Sequence, residues 1–397
     1  MLVTYVLGNC PGCGQENSFG NVEVYGDHVL QGCKRCRYSH GLMLPPIRKK
    51  VIYLDQFFFS CAFRGRDARF VQAAERIKQL AEDQLLVAPY SSIHEDETQW
   101  RDYADQLYPF IKDTSRGAEF ERASEVEKTQ LTRAFRAWLA GEPADHVISL
   151  EDALEEEHVA EWDGYIRIEV GGYLGDAELL AQLKRQSVEQ LVDLFPEWRT
   201  SQRSFEGDVE AEYAQIGPTL IGSYLEFVFR MFRGDIDVFL DSPAIAMIVQ
   251  EFMFLLPEEM PAEDKLRRCG EFFRSDHFKN VPTQWLTTHM LATLKAIVKA
   301  GSYQNREKAL GRLSGVFFDI KHISTYAPYV DAFIMDQPMA ELVSHPGVRL
   351  TERYGTRVFS LNNWDELFVW FDELEAAMSA EHRQGVLDAY PYRRAQQ

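Results

Sequence analysis

Hydrophobic and polar positions divide the chain into stretches of different period. Near the start, NVEVYGDHVL (21–30) alternates every second residue and predicts two strands turning at Gly26. LPPIRKK (44–50) carries Pro45 and Pro46, continues neither a helix nor a central strand, and predicts a linker. Next come a β-branched and aromatic run, KVIYLD (50–55), and a helical pattern in ARFVQAAERIKQLAED (68–83). A second strand pattern, QLLVAPY (84–90), leads into a helix opening at SSIHEDETQW (91–100). This β-α-β-α order is that of a parallel sheet flanked by helices.

From about residue 100 to 310 apolar residues recur at helical spacing, as in QLYPFIK, LTRAFRAWLA, ELLAQLKRQSVEQLVDLF, SYLEFVFRMF, PAIAMIVQEFMFLL and QWLTTHMLATLKAIVKA. Strand patterns return in FDIKHISTYAPYVDAFIMDQ (318–337) and RVFSL, before a last helix through NWDELFVWFDELEAAM. The expected organisation is an α/β fold: a small unit at 1–46, an α/β domain at 50–378 split by a mainly helical insertion at about 116–305, and a C-terminal tail at 379–397 whose end, YPYRRAQQ, reads as loose. The acidic run EDALEEEHVAEWD (151–163) reads as a solvated helix face or loop.

With 397 residues the chain can bury a sizeable core, and its formal charge of -19 argues against a broad nucleic-acid-binding face. The first 50 residues depart from that balance, with Lys34, Arg35, Arg37, Arg48, Lys49 and Lys50 against Glu16, Glu23 and Asp27. No apolar run is long enough for a membrane span and MLVTYVLGNC lacks the make-up of a leader, so a cytoplasmic protein is expected. In that reducing setting cysteines point to a metal or to burial.

Cys10, Cys13, Cys33 and Cys36 form two C-x2-C pairs, the spacing of a tetrahedral structural Zn2+ site in a ribbon too small for a large core. Gly12 and Gly14 suit the tight knuckle, and Gly32 precedes the second pair. Two disulfides, or free cysteines, are the alternative. Cys61 and Cys269 have no such partner and read as buried apolar residues.

The carboxylates follow from element geometry. A helix over 319–327 runs about 13 Å and a strand step from 331 to 336 about 16 Å, so a reversal at Pro328 returns Asp336 to the level of Asp319 and leaves Asp331 at the opposite end. Asp55 closes its strand as Asp336 does, and in open α/β sheets the functional crevice lies at the carboxyl ends of strands. Glu97 falls in the first turns of the helix after the second strand, whereas Glu95 is explained by a capping box with Ser92. Four carboxylates meeting there repel one another unless cations bind, and oxygen ligation suits Mg2+ or Mn2+. Ordinary caps and turn residues are the alternative.

YLDQ (53–56), Ser-x-x-His-x-x-Glu-Thr in SSIHEDET, and D-I-x-H-I-S-T-x-A followed by DAFIMD together resemble a PIN-like nuclease over roughly 50–115 and 310–375. The resemblance implies metal-dependent hydrolysis of RNA, less often DNA, with Asp55, Glu97, Asp319 and Asp336 as the acidic positions. The insertion departs from the family's usual length. His94 and His322 stand one helical turn from Glu97 and Asp319, placed to hold a carboxylate, to contact substrate, or to serve as hydrogen-bonded structural histidines. Arg64, Arg66 and Arg69 are candidates for a substrate phosphate or an exposed basic loop, and Phe57, Phe58 and Phe59 for core or base stacking.

The leading expectation is an Mg2+/Mn2+-dependent endoribonuclease whose zinc ribbon recruits nucleic acid or a protein partner. A second is a silent PIN-like scaffold in which the ribbon does the binding, a reading the net charge favours. A phosphatase with Asp55 as nucleophile is weaker, since Phe57 stands where a second aspartate is common.

Overall fold

The computed structural model describes residues 1–65, 67–98, 103–164, 186–235, 238 and 243–395. Two four-stranded sheets organise it. The first is antiparallel, in the order β1 (Tyr5–Gly8), β2 (Phe19–Tyr25), β3 (His28–Cys33) and β4 (Ser39–Met43). The alternating stretch turns at Gly26, whose φ is positive, as its pattern predicts.

The second sheet is parallel, in the order β6-β5-β7-β8, from β5 (Lys50–Leu54), β6 (Leu86–Val87), β7 (Ala332–Ile334) and β8 (Arg357–Phe359). Helices α1 (Gln56–Arg64), α2 (Ala68–Glu82), α3 (Ser92–Thr98) and α4 (Ala104–Ser115) follow in the expected alternation, and α5 (Ala123–Ala140) opens the insertion. Strand β5 is covered on both faces, which is why KVIYLD reads as an unbroken apolar run. Ile52 and Leu54 point into a core shared with α1, α2 and the Trp364–Ala376 helix. Val51 and Tyr53 point into another, shared with the helices Pro282–Lys299 and Val316–Tyr326.

The insertion is helical, and no named strand lies among its described residues; a single bridge pairs Tyr90 with Glu119 at its edge. Part of the 178–195 helical pattern lies outside the described residues. A separate aromatic core holds the insertion together: Phe135 stacks on Phe252 at 4.4 Å and meets Phe272 edge-on at 5.0 Å, with Cys269 buried among them. Burial of Cys269 agrees with its reading as an apolar residue, while Cys61 is only half-buried.

Three expectations need correction. The tail is not loose: Ser379 caps a helix at Ala380–Ala389, followed by a turn at Pro391–Ala395. Val386, Ala389 and Tyr390 pack with Trp162 against Val24, Val29 and Leu44 of the first unit, and Asn21 Nδ2 donates to the Asp388 carbonyl at 2.8 Å. The acidic run is not simply solvated. Buried Asp152 pairs with Arg133, and Asp163 accepts from Lys49 at 2.9 Å. Lys49 also donates to Gln84 at 3.2 Å and is itself buried, so the expected linker is fastened to the domain. Single-residue composition does not register such pairing, because a buried carboxylate becomes tolerable only once a distant cation reaches it.

Candidate metal centres

The four cysteines converge. Cys10 and Cys13 follow β1, Cys33 ends β3, and Cys36 lies in the turn to β4; together they form a group able to hold a metal ion. Their sulfurs lie 3.7 Å apart for Cys10–Cys36 and 3.9 Å for Cys13–Cys33. A tetrahedron with metal–sulfur bonds of about 2.3 Å has edges of about 3.8 Å, whereas a disulfide needs about 2.05 Å. All four are free thiols. Backbone amides of Gly12, Arg35 and Tyr38 donate to Cys10, Cys33 and Cys36 at 3.3, 3.3 and 3.4 Å. The Ser18 hydroxyl, with the amides of Arg35 and Cys36, holds Cys33 down to about 6 and so favours a thiolate. Gly12 is required by space, since a Cβ there would lie 2.8 Å from the Tyr38 ring.

The second group lies at the carboxyl end of the parallel sheet. Asp55 follows β5 directly, and its amide donates to the Ile334 carbonyl at 3.0 Å, which carries the β5–β7 pairing to the sheet end. Asp336 lies two residues beyond β7, one step further along than Asp55 after β5, and like Asp55 stands at a helix N-cap. Glu97 comes from α3, and Asp319 and His322 from the Val316–Tyr326 helix, three residues apart on one face. Ligand atoms of Asp55, Glu97 and His322 all lie within 4.8 Å of one another. Asp319 and Asp336 fall outside that tight group but close enough to act on it. Burial pushes Asp55 well above the usual carboxylate range, and the charges of Asp319, Glu97 and Asp336 push it further.

Equivalent positions do not give the two strand-end aspartates equivalent roles. Asp336 accepts from the Met339 amide at 2.9 Å and caps the Gln337–Ser344 helix. Asp55 occupies the N-cap position of α1 and makes no capping hydrogen bond; its Oδ1 is buried without a partner among the described residues. A buried carboxylate oxygen left unmet is costly, and a bound cation or a proton is what would relieve it. The donor set of two carboxylates and an imidazole fits a divalent ion without selecting which. Gly315 lets the site close, because a Cβ on it would come within 3.1 Å of Asp319 Oδ2.

His322 is thus a prospective ligand as well as a partner of a carboxylate, with Nε2 at 3.3 Å from Glu97 Oε2. Its Nδ1 bonds the Tyr53 hydroxyl, which lies 2.6 Å from Ser91 Oγ. Tyr53 stands in YLDQ and Ser91 opens the Ser-x-x-His-x-x-Glu-Thr pattern, but neither is predicted as a site residue. The one available signal was the placement of Tyr53 two residues before Asp55, on the same face of β5. His94 takes the structural role. Its Nε2 meets the Leu54 carbonyl at 2.8 Å, its Nδ1 accepts from the Ser91 amide at 3.0 Å, and burial, reinforced by His322, lowers it to about 3. The expected Ser92–Glu95 capping box gives way to this Ser91–His94 pair, and Glu95 instead accepts from the Tyr108 hydroxyl. Asp96, also missed, is raised to about 6 by burial and by Glu95 and Glu97.

Asp331 lies at the opposite end, as the helix and strand lengths require: it pairs with Lys50 at 2.7 Å and accepts from the Val51 amide at 2.9 Å. Arg64 is exposed, with Nε donating to the Ser60 carbonyl of its own helix at 2.9 Å. Arg69 is paired with Asp67, and Arg66 lies outside the described residues. Phe58 and Phe59 are core and cannot stack on a base, while half-buried Phe57 packs edge-on against Phe70. No helix among the described residues is long and apolar enough to cross a membrane. In comparison with known proteins, no family model matches the sequence, no curated protein matches it, and no solved structure matches its fold.

Proposed function

We propose that the protein is a metal-dependent phosphodiester hydrolase, an endonuclease of PIN-like type acting on RNA in preference to DNA. The observation that carries this reading is Asp55 Oδ1, buried and without a hydrogen-bond partner among the described residues, at a sheet end where Glu97 and His322 bring ligand atoms within 4.8 Å. Asp55, Glu97 and His322 would hold the ion, and Asp319 and Asp336 add negative charge around it. A divalent ion bound there supplies Lewis-acid activation of water and neutralises charge growing on the phosphodiester. The carboxylates suit Mg2+ or Mn2+.

The chain's own residues set the geometry and the proton inventory. When His322 Nε2 ligates, Nδ1 carries the proton and donates to Tyr53, whose hydroxyl turns to Ser91. Tyr53 keeps its proton, since burial raises it well above its usual range. The four-cysteine unit is read as a structural Zn2+ ribbon that recruits RNA or a protein partner.

A second reading has one observation in its favour: Asp55, Glu97 and His322 are all almost fully buried, as suits a metal that only braces the sheet of a silent scaffold. The two readings part in one assay. Purified protein is incubated with single-stranded RNA and Mn2+, and products are resolved by length. Cleavage to 5′-phosphate ends that disappears in Asp55→Asn supports the hydrolase; intact RNA at every Mn2+ concentration, with Mn2+ still bound, gives the scaffold.

A further inference from the structure

A second cavity, of about 370 Å3, opens beside the edge strand β6 where α4 ends. It is separate from the carboxylate group and independent of the hydrolase reading. Two of its lining residues are donors left without partners. Lys112 is 6 % exposed, yet its amine makes no ion pair or hydrogen bond among the described residues; it lies over the rings of Tyr108 and Tyr90, 4.7 and 5.7 Å from their centroids. Ser115, one turn on and 2 % exposed, has a buried Oγ that is likewise unpartnered.

A lysine head group has three donors and no acceptor, and the two tyrosine faces leave those donors open to a ligand in the cavity. The other charged groups lining the cavity are engaged. Asp163 is bound by Lys49 at 2.9 Å and by Arg116 at 3.4 Å, and Glu119 accepts from the Tyr90 hydroxyl at 2.7 Å. Neither carboxylate satisfies Lys112. Leu86, Val87, Ala88 and Ala118 form an apolar wall, and the volume exceeds that of a bare ion.

We propose that this cavity binds a small organic oxyanion, its charged head group taken by Lys112 and Ser115 and its apolar part laid against the β6 wall. A phosphate monoester and a carboxylate share this chemistry, so the probes differ only in head group: phenyl phosphate and benzoate.

Each is titrated calorimetrically into the full chain without added Mg2+ or Mn2+, so that the carboxylate group offers no cation. One-to-one binding is expected, weakened at least tenfold in Lys112→Met and about threefold in Ser115→Ala. Tighter phenyl phosphate identifies a phosphate site and tighter benzoate a carboxylate site. No binding of either probe overturns the proposal, as does unchanged affinity in folded Lys112→Met. Should that variant fail to fold, unchanged affinity in Ser115→Ala, which removes a single oxygen, overturns it equally.

Discussion

The two candidate metal groups are assembled in opposite ways. The cysteines run from Cys10 to Cys36 within one small antiparallel sheet, Cys13 exposed and Cys36 half-buried, with sulfurs that accept from amides of their own turns. Asp55, Glu97 and His322 come from three distant elements and meet in a dry interior, where nothing described satisfies Asp55 Oδ1. A local group of thiolates organises a fold that is too small to organise itself. A buried group of carboxylates does the reverse, since the surrounding fold must overcome charge repulsion to hold it.

The largest effect that tests this contrast is on the first group. On the proposed structural-zinc reading, Cys33→Ser should abolish metal binding and with it much of the roughly 10 kcal/mol such a site contributes, so residues 1–46 become protease-sensitive while the parallel-sheet domain persists. Elemental analysis with limited proteolysis checks it; a metal-free, protease-resistant unit would make the cysteines ordinary packing residues.

At the second group the same kind of deletion should stabilise. Without metal, Asp55→Asn removes a carboxyl that burial and its neighbours disfavour and should gain stability, while losing the roughly 2.7 kcal/mol that wild type gains from a ligand at a hundred times its Kd. Thermal unfolding with and without Mn2+ measures both, and equal Mn2+ stabilisation of the two proteins would rule Asp55 out as a ligand.

The pH dependence follows from the sign of the shift. Asp55 is raised in the folded state, so metal-free folded protein holds that proton more tightly than unfolded chain; its contribution is full below the usual carboxylate range and is lost as pH rises through the raised value. The difference in unfolding free energy between Asp55→Asn and wild type should therefore widen with rising pH. A difference that stays flat with pH contradicts the raised carboxyl.

The smallest effect separates charge from capping at Asp336. Asp336→Ala should cost about 1 kcal/mol for the lost cap, whereas Asp336→Asn retains an acceptor for the Met339 amide and should cost less. If Asp336→Asn nevertheless weakens Mn2+ binding several-fold, the charge acts on the metal; if only Asp336→Ala has an effect, Asp336 is a cap alone.

Local patterns made much of the architecture legible. The C-x2-C pairs, the turn at Gly26, the apolar run of β5 and the helical periods of the insertion depend on neighbours within a few residues, and the described structure follows them. Element lengths alone separated Asp331 from Asp319 and Asp336, because helix rise and strand rise are constants of the backbone.

Other features have no local signal. That Asp55 lacks a cap while Asp336 has one, that His322 rather than His94 faces the carboxylates, and that Tyr53 and Ser91 brace it depend on side chains brought together from opposite ends of the chain. The same holds for the tail clamped on the first sheet, for Asp152 and Asp163 in a run that reads as solvated, and for Lys112 left without a partner above Tyr108. Sequence by itself determined which residues could ionise and which elements would carry them. Which of those charges are desolvated, paired or left unmet was decided only by tertiary packing, because the cost of a charge depends on everything that surrounds it in space.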